Sequence, residues 1–167
     1  MERTLIILKP DTVQRGLAGE ILQRFEKAGL KIVAAKMLQP DQNHYHHHYE
    51  TIGKLATRRG KKAFEVTLEM MQQGPVIAFV LEGIEAVSLV RKMVGTTEPK
   101  KALPGTIRGD YAHVSFTHAD SQESGIANII HASADPEEAA AEIAHWFNKS
   151  EIYDYKTMHE KFTQPRK

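Results

Sequence analysis

Apolar positions along the chain switch between two spacings. Leu5-Ile6-Ile7-Leu8 is an unbroken run bounded by Lys9-Pro10, the pattern of a strand buried on both faces. Ala18, Ile21, Leu22, Phe25 and Ala28 then recur at three- and four-residue steps until Gly29, which predicts an amphipathic helix. Leu30 to Leu38 predicts a second strand, ending before Pro40. Residues 41 to 73 predict interrupted helix. Asp41 is its N-cap candidate, Phe64, Leu68 and Met71 mark one face, and Gly74-Pro75 is the stop. Val76 to Leu81 is a third buried strand, and Ile84, Val87, Val90 and Val94 space out another helix, closed by Gly95.

Residues 96 to 125 break the pattern. They hold Pro99, Pro104, Gly105, Gly109 and Gly125 with little periodicity, and so long an irregular stretch in a compact domain is more often functional than idle. Ile126 to Ile130 predicts the fourth strand. Asp135-Pro136 opens a last helix, with Pro at its first position and Ala139, Ile143, Trp146 and Phe147 on its apolar face. Residues 148–167 read as a polar tail. The order β-α-β-(αα)-β-α-loop-β-α predicts an α/β sandwich: a ferredoxin-like core with a four-stranded antiparallel sheet and an inserted helical pair, in one domain over residues 1–167. A small doubly wound sheet is the competing topology.

Composition narrows the class. The 41% hydrophobic and 26% charged fractions are those of an ordinary globular chain. Twenty-two Lys and Arg against 21 Asp and Glu leave +1, so no global charge drives association with nucleic acid or membrane. The absence of cysteine excludes disulfides, thiolate zinc sites and thiol catalysis. No stretch approaches the ~20 apolar residues of a membrane span, and the expected setting is cytoplasmic.

Candidate chemistry gathers at two places. His131 stands at a strand-to-helix junction in Asn128-Ile129-Ile130-His131-Ala132-Ser133, and Glu142 falls among Ala139, Ile143 and Trp146 on the apolar face of the next helix. A carboxylate there needs a partner. His131 is the natural one, and the competing partners are backbone or Ser133. A Glu holding one imidazole nitrogen fixes the tautomer and leaves the other as base or nucleophile. Pro104-Gly105-Thr106-Ile107-Arg108-Gly109-Asp110 is a tight loop presenting a guanidinium. With Lys9, Arg91 and Thr97 it forms a candidate anion pocket, since the planar fork of Arg suits phosphate oxygens. The tract His44-Tyr45-His46-His47-His48-Tyr49 suggests a metal site, but a solvated helix is the favoured reading. The basic cluster Lys54, Arg58, Arg59, Lys61 and Lys62 reads as solvated surface or, less often, a nucleotide-facing rim. Neither a P-loop nor a Gly-x-Gly-x-x-Gly fingerprint is present.

Together these segments resemble the nucleoside diphosphate kinase family. Asn128 to Ser133 with Glu142 resembles its active-site signature. Thr4 to Asp11, Gly74-Pro75-Val76 and Pro104 to Asp110 resemble further family segments, all in the family's order across residues 3 to 147. The resemblance implies ping-pong transfer of a γ-phosphate from a nucleoside triphosphate to a nucleoside diphosphate through a phosphohistidine on His131. Glu142 would orient the imidazole with help from Ser133. Lys9 and Asn128 would hold ribose hydroxyls, Lys9 also reaching the transferring phosphate. Arg91, Thr97 and Arg108 would hold phosphates, and Tyr49, with Tyr45 as alternative, would sit beside them. Phe64 would stack on the base. Mg²⁺ would enter on the nucleotide phosphates without direct protein ligands, and the chain would assemble as a tetramer or hexamer.

Five departures accompany the resemblance, the first being a stretch from Tyr49 to Phe64 several residues longer than usual. Ala132 replaces a usual Gly. Ala134 replaces a usual Asp, with Asp135 one place later as its candidate substitute. Lys62-Ala63-Phe64 stands where the family has Pro-Phe-Phe. About ten extra residues, within 113 to 125, lengthen the stretch before Asn128, and their polarity predicts a surface loop near the nucleotide entrance or an adjacent subunit, outside the catalytic machinery.

Overall fold

The computed structural model describes residues 1–163. The last four positions of the expected tail, 164–167, lie outside the described residues. Four strands, β1 (Glu2–Leu8), β2 (Lys31–Leu38), β3 (Val76–Gly83) and β4 (Ile130–Ala132), form one sheet in the order β2-β3-β1-β4. Every pairing is antiparallel. The sheet is that of a ferredoxin-like fold, as expected.

The apolar run that starts the chain explains the layering. Side chains alternate across a strand, so Leu5 and Ile7 enter one core with Val33, Ala78 and Val80, while Ile6 and Leu8 enter the other with Phe79 and Leu81. Helices cover both faces. The second core is closed by α2 (Ala18–Lys27) through Ile21 and Phe25 and by α6 (Ala86–Val94) through Val90 and Val94. The first is closed by the insertion between β2 and β3 and by α9 (Pro136–Trp146), which contributes Trp146.

That insertion is helical throughout but interrupted, as its pattern predicted. Asp41 caps α3 (Gln42–His46), its side chain accepting from the His44 amide at 2.8 Å. The helix widens into a π-helical segment, His47–Ile52. Lys54, in the left-handed region at φ 49°, then turns the chain into α4 (Leu55–Arg59), and Gly60, at φ 90°, into α5 (Lys61–Met71). The remaining helix of the first half is α1 (Pro10–Gln14), directly after β1.

Two expectations change. The irregular stretch contains α7 (Ile107–Tyr111) and α8 (Phe116–Ser121), each too short to show a helical period. The last strand is Ile130–Ala132 rather than Ile126 to Ile130. The cause is Ile129, which is fully buried and adopts φ 73°. With the Ile130 amide donating to the Asn128 carbonyl at 2.8 Å, it forms a strained γ-turn that holds residues 126 to 128 out of the sheet. After α9 the chain runs beside edge strand β2, where the Tyr153 amide donates to the Val33 carbonyl at 2.8 Å next to a register shift, and ends in α10 (Glu160–Thr163).

Candidate active site

The γ-turn delivers His131 into the middle of β4, paired with Ile7. Its imidazole is nearly buried, with 17% of the side chain exposed, and Nε2 lies 2.8 Å from Glu142 Oε1, though off the line of a straight hydrogen bond. Glu142 is 1% exposed. Its other oxygen accepts from Ser133 Oγ at 2.6 Å, and Ser133 Oγ in turn accepts from the Leu5 amide at 3.2 Å. So the sheet, the junction and α9 fix one carboxylate, and the carboxylate faces Nε2. The nitrogen that remains for chemistry is Nδ1.

Two aromatic rings wall in this pair. Tyr45 lies fully in the core, whereas Tyr49 reaches the site, its ring 6.3 Å from that of His131. Burial holds the Tyr49 hydroxyl well above the ordinary phenol range, so it is a donor. It finds no acceptor among the described residues. His48, named in the sequence only as part of the His tract, also reaches His131. It is 1% exposed, its ring is 4.5 Å from that of His131, and its Nδ1 accepts from Trp146 Nε1 at 3.1 Å. The solvated-helix reading of the His tract therefore fails at Tyr45, His48 and Tyr49. Their spacing with Ile52 is that of one helical face, which was the available signal. His48, His131 and Glu142 place three metal-capable atoms within 4.8 Å of one another. The Trp146 donor and the Glu142 contact already employ them as supports for the His131 ring.

A cationic end lies next to the imidazole. Lys9 follows the end of β1, and its Nζ donates to Asn128 Oδ1 at 2.6 Å while Asn128 Nδ2 donates to the Thr97 carbonyl at 2.9 Å. Burial pushes the Lys9 ammonium down to about 8, against the pull of Asp11. Arg108 is 4% exposed, and its guanidinium donates to the carbonyls of Gly95, Asn128 and Ile130. Burial, with Arg91 nearby, brings it to about 10, which leaves it charged at neutral pH. Arg91 is exposed and makes one long contact, 3.4 Å to the Ala132 carbonyl. Burial first, and then the charges of Lys9, Arg108 and Arg91, hold the His131 imidazole well below the usual histidine range, so it is neutral and its free nitrogen keeps its lone pair.

These groups share one cleft of about 410 Å³, lined by Lys9, Tyr49, Arg91, Thr97, Arg108, Asn128 and His131. Its size suits a small-molecule site. Phe64 does not join them. It lies in the core, edge-on to His46 at 5.3 Å, and Ala63 occupies the cleft side of α5. Adjacent helical positions point about 100° apart, and here Ala63 faces the cleft while Phe64 turns into the core. Asp135 is also diverted, its side chain accepting from the Glu138 amide at 2.8 Å as the N-cap of α9. The acid lining the cleft there is Glu138. Arg58 and Arg59 border the cleft, so this part of the basic cluster is a rim, while Lys61 and Lys62 stay in solvent. The segment before Asn128 borders the cleft, as the nucleotide-entrance expectation had it, through Phe116, Ala119, Asp120 and Gly125, but it carries a helix rather than an open loop.

A neutral, carboxylate-backed imidazole facing three cationic side chains on a ferredoxin-like sheet defines a phosphotransferase. Comparison with known proteins identifies its kind. Residues 2–152 match the family model for nucleoside diphosphate kinase. The nucleoside diphosphate kinase of Borreliella burgdorferi is 44% identical over 93% of both chains, and that of Pyrococcus furiosus is 48% identical over 93% of this chain and 88% of the relative. Among solved structures, a transition-state mimic of the Borrelia burgdorferi enzyme with bound vanadate and ADP superposes with a TM-score of 0.94 at 42% identity, covering 97% of this chain and 96% of that one. The Pyrobaculum aerophilum enzyme gives 0.83 at 38% identity, covering 92% and 99%. The chain belongs to the nucleoside diphosphate kinase family.

Proposed function

We propose that the protein moves the γ-phosphate of a nucleoside triphosphate to a nucleoside diphosphate in two half-reactions through a phosphohistidine on His131. The observation that carries this reading is the His131–Glu142 contact at 2.8 Å, which leaves Nδ1 as nucleophile at the cationic end of the cleft. In the first half-reaction the Nδ1 lone pair forms a bond to the γ-phosphorus, and the bond from that phosphorus to the β–γ bridging oxygen breaks. The diphosphate leaves with that electron pair. Glu142, held by Ser133, balances the positive charge that develops on the imidazole. In the second half-reaction a terminal oxygen of another nucleoside diphosphate takes the phosphoryl group by the reverse displacement. Positioning and charge neutralisation are the main requirements of such transfer. Arg91, Arg108, Thr97 and the Tyr49 hydroxyl supply them to phosphate, and Lys9 and Asn128 supply them to the ribose hydroxyls, Lys9 also to the transferring group.

Mg²⁺ arriving with the nucleotide would add charge neutralisation at its phosphates. The residues fit an ion that arrives with its ligand, because the groups around the phosphate end are donors and cations while Mg²⁺ takes oxygen ligands. Glu138, which lines the cleft and accepts from the Ala134 amide at 3.0 Å, is the carboxylate that would hold its water shell. The same reading includes a homo-oligomer, a tetramer or hexamer, working in the cytoplasm on free nucleotides. No helix among the described residues is long and apolar enough to cross a membrane.

Incubation with γ-labelled ATP tests the proposal. A label on the protein that acid removes and base does not, that is chased by a second diphosphate and that is absent from His131→Ala, is the expected result. A His131→Ala variant that still exchanges phosphate would overturn it.

A further inference from the structure

The cleft has a second end whose contents differ from the first. Beyond Lys9, Arg91 and Arg108 it is lined by Leu55, Ala63, Val66, Thr67, Phe116 and Ile126, with Arg59 beside them. Phe116 is the one aromatic side chain among the described residues lining that end. It belongs to α8, in the lengthened segment, and the structure ties that segment down. The Phe116 amide donates to Glu98 Oε1 at 3.1 Å, Ser115 caps α8 by accepting from the His118 amide at 3.1 Å, and the Lys100 amide donates to the Val114 carbonyl at 3.1 Å. At the other end of the segment Gly125 lies so close to α5 that a Cβ there would stand 2.7 Å from the Val66 carbonyl oxygen and 2.9 Å from Met70 Cβ. The Phe116 ring is therefore held on the wall of the cleft that Ala63 also lines. Its face is covered by the Arg59 guanidinium, centred 4.4 Å from the ring.

A guanidinium on a ring face is a flat, delocalised group stacked on an aromatic surface. A nucleotide base has the same flatness and a π face of its own. A nucleotide with its phosphates on Arg91 and Arg108 extends its base toward this end, because the first end is filled by phosphate and ribose. We infer that Phe116 is the base-stacking platform of this enzyme, with Arg59 as the stand-in that the base displaces, and that the lengthened segment supplies the aromatic surface that α5 turns into the core at Phe64. The inference rests on the phosphotransfer reading above. Stacking uses a face that every base possesses, so the platform accepts all bases, with purines gaining more than pyrimidines from their larger ring.

The test is a set of KM values for wild type, Phe116→Leu and Phe116→Tyr with ADP, CDP and ribose 5-diphosphate as acceptors. Labelling of His131 by saturating ATP verifies that each variant is folded. Leu keeps the apolar bulk but removes the π face, and Tyr keeps the face. F116L is expected to raise KM for ADP about 5- to 150-fold, the range for one lost base–aromatic stack, and to raise it less for CDP. The KM for ribose 5-diphosphate, which has no base, should not rise with it, and F116Y should restore ADP binding. An unchanged KM for ADP in F116L, or an equal rise for ribose 5-diphosphate, would overturn the platform. A wild-type protein that takes no label would instead sink the phosphohistidine reading beneath it.

Discussion

The Ile129 amide donates to the Asp11 carboxylate at 3.0 Å, which ties the strained turn before His131 to the first turn of α1. A buried β-branched residue at positive φ persists only when its surroundings over-determine it. Asp11 takes its amide, and the Lys9 amide and Thr12 hydroxyl take its carbonyl. Asp11→Ala should leave a buried amide without an acceptor and cost about 1–3 kcal/mol of unfolding free energy in urea. It should lower kcat more than it raises KM, because the nucleophile loses its fixed position while the phosphate ligands stay. Asp11→Asn, which retains an accepting oxygen, should recover most of both. Equal losses for Ala and Asn would show that the charge of Asp11, not the turn, is what matters.

Glu142 and Ser133 form the next pair to separate. Glu142→Gln keeps the shape but cannot balance a cationic imidazole, so rapid-quench measurement should find slower labelling of His131 with nucleotide affinity retained. Ser133→Ala removes the donor at 2.6 Å and the acceptor of the Leu5 amide together. Its expected signature is a stability loss of about 1–3 kcal/mol alongside slowed labelling. A Gln variant with normal labelling and poor binding would make Glu142 a structural group.

Arg91 and Arg108 should part company. On the proposed reading each donates charge to phosphate, and a hydrogen bond to a charged group contributes about 1.5–3 kcal/mol, so either Ala variant should lose about 10- to 150-fold in kcat/KM. Arg91 is exposed and Arg108 holds three carbonyls in the interior. Arg91→Ala should therefore melt at the wild-type temperature, and Arg108→Ala well below it. A like drop in melting temperature for both would contradict this division.

The low-lying lysine sets a pH dependence. Lys9 titrates near pH 8 in the folded enzyme and near 10.5 when unfolded. Above about pH 8 it loses its charge, and if that charge faces phosphate as proposed, the KM for ADP should climb with pH, by at most about tenfold per unit once Lys9 is mostly neutral. Stability moves the other way. Between about 8 and 10.5 the unfolded chain binds the extra proton, so the contribution of Lys9 makes the fold more stable as pH rises through that window, and the full penalty is present below it. A KM profile flat from pH 7.5 to 9.5 would remove Lys9 from the phosphate contact.

How far the sequence carries depends on whether a local pattern encodes the feature. Leu5 to Leu8 announced burial on both faces, and Glu142 on an apolar helix face announced a buried partner. Both follow from spacing alone. The start of β4 did not, because Ile129 has none of the usual residue chemistry for positive φ. Only the tertiary partners Asp11, Lys9 and Thr12 impose that turn. Asp135 went to a helix cap and left the cleft to Glu138, a competition between two nearby carboxylates that spacing does not decide. Phe64 and Ala63 differ by one position, and the turn at Gly60 sets which of them faces the cleft. The helices at 107–111 and 116–121 complete too few turns to leave a period.

Arg108 joins the end of α6, the turn at Asn128 and strand β4 through one planar group, and it does so before any substrate arrives. The phosphate end of the cleft therefore has its donors already aimed, and a nucleotide entering there finds little to reorganise. On the proposals above, the other end exchanges a guanidinium for a base at each visit. The proposed two-step transfer would empty and refill its single cleft in every cycle, by triphosphate and by diphosphate in turn. In such a cycle the group common to all substrates meets a rigid seat, and the part that varies meets the adaptable one.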